Sequence, residues 1–557
     1  MSFGLTSCQL LVSFLGSDET ITPGETQPTI TLTAESQDIN YWDKDARFLD
    51  ITVSPARGLA VLHYTTDGSE PSTSSPEVPA TGVRITQDCT VKVQAFDASG
   101  IAEGEAASED FKPRYIFRAT KDDNSGYEVK ARLAAIGPGD IAEVFVEDSE
   151  KANANVTDAI AEKLAADFET KSYDLVFDDF ADPGDVDGDG HIALLLLEIE
   201  SSASSSSFTA GYFDSTNALE GEDSNYADML YIDCVQGDLE SDDLPLTITH
   251  ELQHMANYNH EYIQSTAAAK SEEDSWINEG LSAAAEQQYQ ERYGSDGKKQ
   301  LADRVVYFYD QKAVESGTTV SDTIRTGQAF VSWDAHEGGS AVLASYSTVY
   351  LFFQWLRVQS PDGAAVFKDI IAADAYDAQA VVAATEDWAS TDIATQKADL
   401  GANKPTWEYL IRSWYLANFL NDPTSVYGYK GDAELAVSQP LLDAQTSATA
   451  YKLLPGEGLF GKVSAAFSPV TGVDIAYARI DGAKKITIGA TTFAAGDCIL
   501  AYNPSYLVSD TPVVATTGSF STMAEIRQLP PSRAIGQSWE GHRFRIDWIR
   551  PPKRGGM

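Results

Sequence analysis

Thr249-His250-Glu251-Leu252-Gln253-His254-Met255-Ala256-Asn257-Tyr258 and, shortly after it, Trp276-Ile277-Asn278-Glu279-Gly280-Leu281-Ser282-Ala283-Ala284-Ala285-Glu286 are the stretches on which the reading of this chain turns. The chain holds only seven histidines in 557 residues, so a chance His-Glu-x-x-His is expected on the order of one time in a hundred. On a helix, residues four apart lie on one face, so His250 and His254 can aim their imidazoles at a single ion. Ile248, Leu252, Met255 and Ala256 fall on another face at i, i+4, i+7 and i+8, which gives the same helix an apolar stripe to bury. Glu251 is turned about 100° from His250, near enough to reach a water on the ion without ligating it.

Catalytic zinc with two histidines needs a third protein ligand and an open fourth position. Two candidates compete. His260 completes a His-Glu-x-x-His-x-x-Gly-x-x-His spacing in which Asn257 replaces the Gly, and Asn tolerates the left-handed turn better than other non-Gly residues. That arrangement also calls for a Met-containing turn beneath the metal, and no Met occurs between Met255 and Met523. The rival is Glu279, on a segment whose Leu281, Ala284, Ala285 and Gln288 form a close-packing helical face. Glu279 and Glu286, seven apart, share a face, so one can ligate while the other orients a His. The sequence favours Glu279.

The two motifs together resemble the hyicolysin-type neutral metallopeptidases, a His-His-Glu (gluzincin) zinc group, and more distantly aminopeptidases with a similar Asn-Glu-Gly segment. Further matching runs are Asp185-Val186-Asp187-Gly188-Asp189-Gly190-His191-Ile192, Gly211-Tyr212-Phe213-Asp214 and Asp228-Met229-Leu230-Tyr231-Ile232-Asp233, so the resemblance covers about residues 120 to 360. It implies a thermolysin-like α+β zincin domain in which His250, His254 and Glu279 bind Zn2+ and Glu251 is the catalytic carboxylate. In related gluzincins a downstream Tyr or His faces the oxyanion, and Tyr346, in Ser345-Tyr346-Ser347-Thr348-Val349-Tyr350, is the candidate here; a core Tyr on the same helix is the competing reading.

Asp185, Asp187 and Asp189 followed by Gly190 reproduce the first half of an EF-hand loop, with alternate carboxylates and then a Gly for the sharp turn. Position twelve would be Leu196, so a complete EF-hand is excluded. A structural Ca2+ site on these three aspartates is expected, with further ligands from Asp182, the backbone at His191 or elsewhere in the fold; a solvated acidic turn is the alternative.

Residues from about Thr29 to Lys112 alternate in the strand manner. Val61 to Thr66 followed by Asp67-Gly68 carries a short-range hairpin signal, and Thr90 to Phe96 sets Val91, Val93 and Ala95 on one face. The runs Tyr64-Thr65-Thr66-Asp67-Gly68-Ser69-Glu70-Pro71 and Thr90-Val91-Lys92-Val93-Gln94-Ala95-Phe96-Asp97 resemble the Ig-like module found at the C-terminal end of chitobiases and attached to many secreted bacterial enzymes. It is an accessory domain there, so no chemistry is assigned to it.

Helices are expected over Val156 to Lys171, Ala341 to Val358 and Trp407 to Phe419. His191 to Glu200 reads as a strand buried on both faces, and short strands return beyond Tyr451. Arg543 to Arg550 reads as a strand with a solvated basic face. The expected organisation is multi-domain: an N-terminal segment (1–27), a β-sandwich (28–113), the metallopeptidase domain (114–450) and a C-terminal β-rich domain (451–557).

Thirty-nine Lys and Arg against 84 Asp and Glu give a net charge of −45, which argues against nucleic acid as a partner because a phosphate backbone needs a basic footprint. The 43% hydrophobic content excludes a wholly disordered acidic chain. Four scattered cysteines fit neither a disulfide scaffold nor a Cys-rich zinc module, and no apolar run approaches the ~18–20 residues needed to span a bilayer. Leu5-Thr6-Ser7-Cys8 resembles a bacterial lipobox, but Met1 to Gly4 supply neither a basic n-region nor an apolar h-region, so lipidation of Cys8 requires a start further upstream. Gly16 to Gln27 reads as a tether.

The expectation is thus an exported zinc endopeptidase, extracellular or at the cell surface of a bacterium, monomeric, acting on protein or peptide substrates and touching membrane only through a lipid on Cys8. The alternatives are an inactive adhesin or carbohydrate-associated binding protein, and an aminopeptidase.

Overall fold

The computed structural model describes residues 29–55, 61–121, 125–199, 207–241, 243–265, 273–294, 304–305, 308, 331, 340–390, 405–432, 435, 444–445, 451–469, 475–507, 513–515 and 543–549. Cys8 and the tether lie outside them. The chain divides into two compact units, one of residues 1–37 and 48–113 and the other of residues 38–47 and 114–557.

The smaller unit contains two antiparallel three-stranded sheets. Ile30–Thr33, Leu49–Pro55 and Val83–Ile85 form the first; Val61–Thr65, Cys89–Phe96 and Ala102–Phe111 form the second. Ile51, Val83, Val91 and Val93 are fully buried, as inward positions of alternating strands must be. The hairpin expected at Asp67-Gly68 is not there: Val61–Thr65 pairs with Cys89–Phe96, with Val83–Ile85 of the other sheet intervening in sequence. Asp67 instead closes an Asx turn, its Oδ1 accepting from Ser69 N at 2.9 Å, while Gly68 takes φ +74° and its N–H donates to Thr90 O. An Asp-Gly pair supplies the turn chemistry; which strand the chain then joins is set by packing.

The larger unit is built on an eight-stranded sheet in the order Asp38–Asn40, Arg114–Thr120, Gly126–Ile136, Ala142–Glu147, Ile192–Leu197, Met229–Asp233, Ser207–Asp214, Arg543–Ile549. Ile192–Leu197 runs parallel to both neighbours, and all six of its residues are buried, which explains its unbroken apolar sequence. Helices Leu244–Tyr258, Ser275–Tyr293 and Ser340–Gln359 share one core with that sheet: Leu194, Leu196, Ile248, Leu252, Met255, Trp276, Phe352 and Trp355 belong to a single buried cluster. The helix expected over Val156 to Lys171 runs as α-helix only over Asp158–Asp167, capped by Thr157, and then widens into a π-helical stretch, Phe168–Tyr173.

Two boundaries differ from the sequence expectation. Asp38–Arg47 lies in the larger unit, because Asp38–Asn40 pairs in parallel with Arg114–Ile116. The C-terminal strands are not a separate body either. Gly458–Val463, Ala476–Ile480, Ile486–Ile488 and Cys498–Tyr502 form the bulk of a five-stranded sheet that meets helix Trp407–Leu420 through Phe419 stacked on Phe460 at 4.6 Å and Tyr415 donating to Gly456 O at 2.8 Å. Arg543–Ile549 closes the outer edge of the large sheet against Ser207–Asp214. Strand alternation predicts that a segment is a strand, not which sheet receives it.

Candidate metal centre

Pro245 sits in the first turn of helix Leu244–Tyr258, where its missing N–H costs nothing. His250, Glu251 and His254 are completely buried. The second helix, Ser275–Tyr293, packs against the first, and its Ala283, Ala284 and Ala285 are all buried. A Cβ at Gly280 would stand 2.3 Å from the Phe353 ring, so a bare backbone is what lets Ser340–Gln359 close on this helix.

This packing brings one ligand atom from each of His250, His254 and Glu279 within 4.8 Å of the others. His250 Nε2 and Glu279 Oε2 are 3.4 Å apart, and His254 Nε2 lies 3.8 Å from the same oxygen. His250 Nε2 and Glu279 Oε2 are both buried and make no hydrogen bond among the described residues. Buried polar atoms without partners are costly, and a nitrogen and a carboxylate oxygen left bare at a common point suit a cation that takes N and O donors, as zinc does. His260, the rival ligand, lies in the π-helical stretch Asn259–Gln264 that continues the helix, outside this group.

Each imidazole is held from behind. His250 Nδ1 donates to Glu286 Oε1 at 2.6 Å, and both Glu286 oxygens accept from Arg304 Nη2 at 2.9 Å. Burial raises the Glu286 pKa, but Arg304 and His250 outweigh it and leave the carboxyl below its usual range. His254 Nδ1 donates to Asn278 Oδ1 at 2.8 Å and lies 3.0 Å from Ser282 Oγ. With Nδ1 of each ring committed, each Nε2 is the face turned to Glu279.

Glu251 is anchored differently. Its Oε2 accepts from the backbone N–H of Phe213 at 2.9 Å, while Oε1 is buried and has no hydrogen bond among the described residues. Burial pushes this carboxyl up to about 8, against the opposing pull of His250. Tyr346, half-buried on helix Ser340–Gln359, has its ring centroid 6.5 Å from that of His250; the Arg304 guanidinium lies 5.9 Å from the Tyr346 ring.

The acidic loop departs from its expected ligand set. Asp185 and Asp187 each offer an oxygen to one group whose third member is Asp228. Asp189 is drawn elsewhere: its Oδ2 pairs with Arg47 Nη1 at 2.6 Å, and its Oδ1 accepts from His191 N at 2.7 Å. Asp182 accepts from Gly184 N. Arg47 lies 142 positions from Asp189, a separation that no local motif reports.

Comparison with known proteins meets this geometry at two points. Residues 49–107 match the chitobiase/beta-hexosaminidase C-terminal domain. The chain is also similar to the neutral metalloprotease ShpI of Staphylococcus hyicus. The two are 29% identical over 223 residues, which cover 39% of this chain and 46% of that protein. The matched stretch is thus about half the relative's length.

Arg304, Ser282, Phe213 and Asp228 were not singled out as site residues by the sequence. Phe213, Asp228, Asn278 and Ser282 stood inside the quoted motifs without a role; Arg304 carried no signal at all.

Proposed function

We propose that this chain is a zinc-dependent endopeptidase with His250, His254 and Glu279 as its ligands and Glu251 as its general base. The observation that carries this reading is the bare buried pair, His250 Nε2 and Glu279 Oε2, beside a Glu251 whose Oε1 is also uncommitted. Similarity to a neutral metalloprotease supports it, as does the pairing of a His-Glu-x-x-His helix with a second helix that contributes a carboxylate, the arrangement of a thermolysin-like zincin.

Bound zinc supplies Lewis acidity toward the scissile carbonyl and brings a water's pKa toward neutrality. The protein's own groups do the rest. Glu286 and Asn278 fix each ring so that Nε2 remains a lone-pair donor. Phe213 N–H holds Glu251 by one oxygen, leaving Oε1 to accept the proton of the attacking water and return it to the departing amine. Tyr346 is proposed as the donor to the developing oxyanion.

The substrates are proteins or peptides, taken by a monomer. An extracellular or cell-surface location accords with the acidic composition and the accessory module; a lipid on Cys8 would add an anchor. Among the described residues no helix is long and apolar enough to cross a membrane. The deciding experiment is Glu251→Gln assayed on casein with zinc content measured in parallel: retained zinc with lost cleavage is expected, and undiminished cleavage would overturn the assignment.

A further inference from the structure

We propose that Asp185, Asp187 and Asp228 form a calcium site that fastens the acidic loop to the end of the metal-bearing helix, with Asp189 excluded from the ligand set. This inference does not rest on the peptidase reading, because its readouts are calcium binding and thermal unfolding, not cleavage.

The geometry suits the ion. The three offered oxygens lie within 4.8 Å of one another, and oxygens on opposite sides of a Ca2+ with bonds of 2.3–2.6 Å can be up to about 5 Å apart. The donors are all hard carboxylate oxygens, with no nitrogen or sulfur among them, which selects against zinc. The loop backbone makes the convergence feasible: Gly184, Gly188 and Gly190 take φ of +87°, +80° and +78°, a conformation other residues rarely adopt.

An acidic loop alone would mean little, since exposed carboxylates cluster without an ion. Here the carboxylates are mostly not exposed. The Asp187 side chain is 1% accessible; its Oδ2 is taken by Arg47 at 2.5 Å, while Oδ1 is buried with no hydrogen bond among the described residues. Asp228 is also buried, accepting from Val186 N at 2.6 Å and from Asn259 Nδ2 at 3.0 Å. Asn259 is itself buried, and its Oδ1 likewise lacks a hydrogen bond among the described residues. Asp187 and Asp189 share one guanidinium, that of Arg47, and Lys44 spends its ammonium on the backbone oxygen of Asp187 at 3.2 Å. A divalent cation offsets the cost of burying Asp187 and Asp228.

The position gives the site a purpose. Asn259 is the first residue beyond helix Leu244–Tyr258, and its Nδ2 also donates to Pro183 O at the head of the loop. Through Asp228 and Asn259 the ion would hold the loop against the helix that carries His250 and His254. Occupancy should therefore appear as resistance to unfolding.

The test is calorimetric titration of Ca2+ into the full chain, stripped of calcium and reloaded with zinc, beside thermal unfolding with and without Ca2+. The wild type is expected to show one site distinctly tighter than the diffuse binding of its acidic surface, and a higher Tm with calcium. Asp185 is exposed, so Asp185→Asn should fold; it and Asp228→Asn are expected to weaken the tight site by about tenfold or more, equivalent to ~1.4 kcal/mol. Asp189→Asn should leave it within about threefold. No tight site in the wild type, no weakening by Asp185→Asn, or a loss in Asp189→Asn equal to that in Asp185→Asn would each overturn the proposal.

Discussion

Glu251 and Phe213 are joined by a hydrogen bond of 2.9 Å from the strand's backbone N–H to one carboxylate oxygen. Because the donor is main chain, of the substitutions at position 213 only Pro removes it, and the carboxylate is oriented by a strand of the large sheet. Glu251→Gln can keep the same acceptor contact through its amide oxygen while losing the ability to take a proton. Casein cleavage is expected to fall by roughly 10²–10⁴-fold, the usual contribution of a general base, with zinc stoichiometry by atomic absorption unchanged.

Glu279→Ala should strip the protein of zinc, whereas His260→Ala should leave zinc content near that of the wild type. Zinc measured after dialysis against a metal-free buffer compares the two directly. The reverse ranking would transfer the third ligand to His260.

Glu286 touches no ion yet fixes His250. Glu286→Gln keeps the shape but gives up the charge that Arg304 and His250 share, and a loss of about 10–100-fold in zinc affinity is expected from chelator competition. Arg304→Met should act on the fold as well: it leaves Glu286 buried without its cation, a change that typically costs about 3–5 kcal/mol and is measurable by urea unfolding.

Gly280→Ala sets two effects against each other. Ala favours a helix over Gly by about 1 kcal/mol, but the new methyl would stand 2.3 Å from a Phe353 ring that is itself fully buried. Overpacking of that kind costs about 1–3 kcal/mol, so the net effect should be a lower Tm and, through displacement of Glu279 next to it, weaker zinc binding.

Glu261 and Glu273 provide a pH signature away from the ligands. Both are buried. Burial, then Asp374, moves Glu261 from its ordinary value near 4.5 up to about 8, and burial, then Glu261, moves Glu273 well upward. Raised folded-state values mean that the folded chain holds protons which the unfolded chain releases near pH 4.5. Stability from these groups is therefore greatest below about pH 4.5 and falls as the pH rises toward about 8. Glu261→Gln, which stays neutral throughout, should flatten the decline in Tm between pH 5 and 8 in calcium-free buffer; an unchanged slope would show that Glu261 ionises freely.

Much of the centre was legible in the sequence because its logic is local. A spacing of four on one helix makes His250 and His254 neighbours, and a spacing of seven on the next puts Glu279 and Glu286 on one face. The run His191 to Glu200 announced a strand buried on both sides, and Ile192–Leu197 is that strand. What escaped was non-local. Arg47 and Asp228 reach the acidic loop from distant parts of the chain, so the pattern of alternate aspartates gave no sign of Asp228 or of the guanidinium that pairs with both Asp187 and Asp189. The Asp67-Gly68 turn was read correctly as a turn and wrongly as a hairpin, and the C-terminal strands as a separate domain, for the same reason: local chemistry does not name the pairing partner.

The short excursion of Asp38–Arg47 into the larger unit bears on how separable the accessory module is. A cut at residue 114, where composition suggests the boundary, would remove Arg47 along with the sandwich. Asp187 and Asp189 would then face each other with no guanidinium between them, and Arg114–Thr120 would lose its parallel neighbour. The module is interleaved with its host, not simply appended to it, so a shuffling event that exchanged it would have had to keep these ten residues. Any minimal version of the larger unit should retain them too.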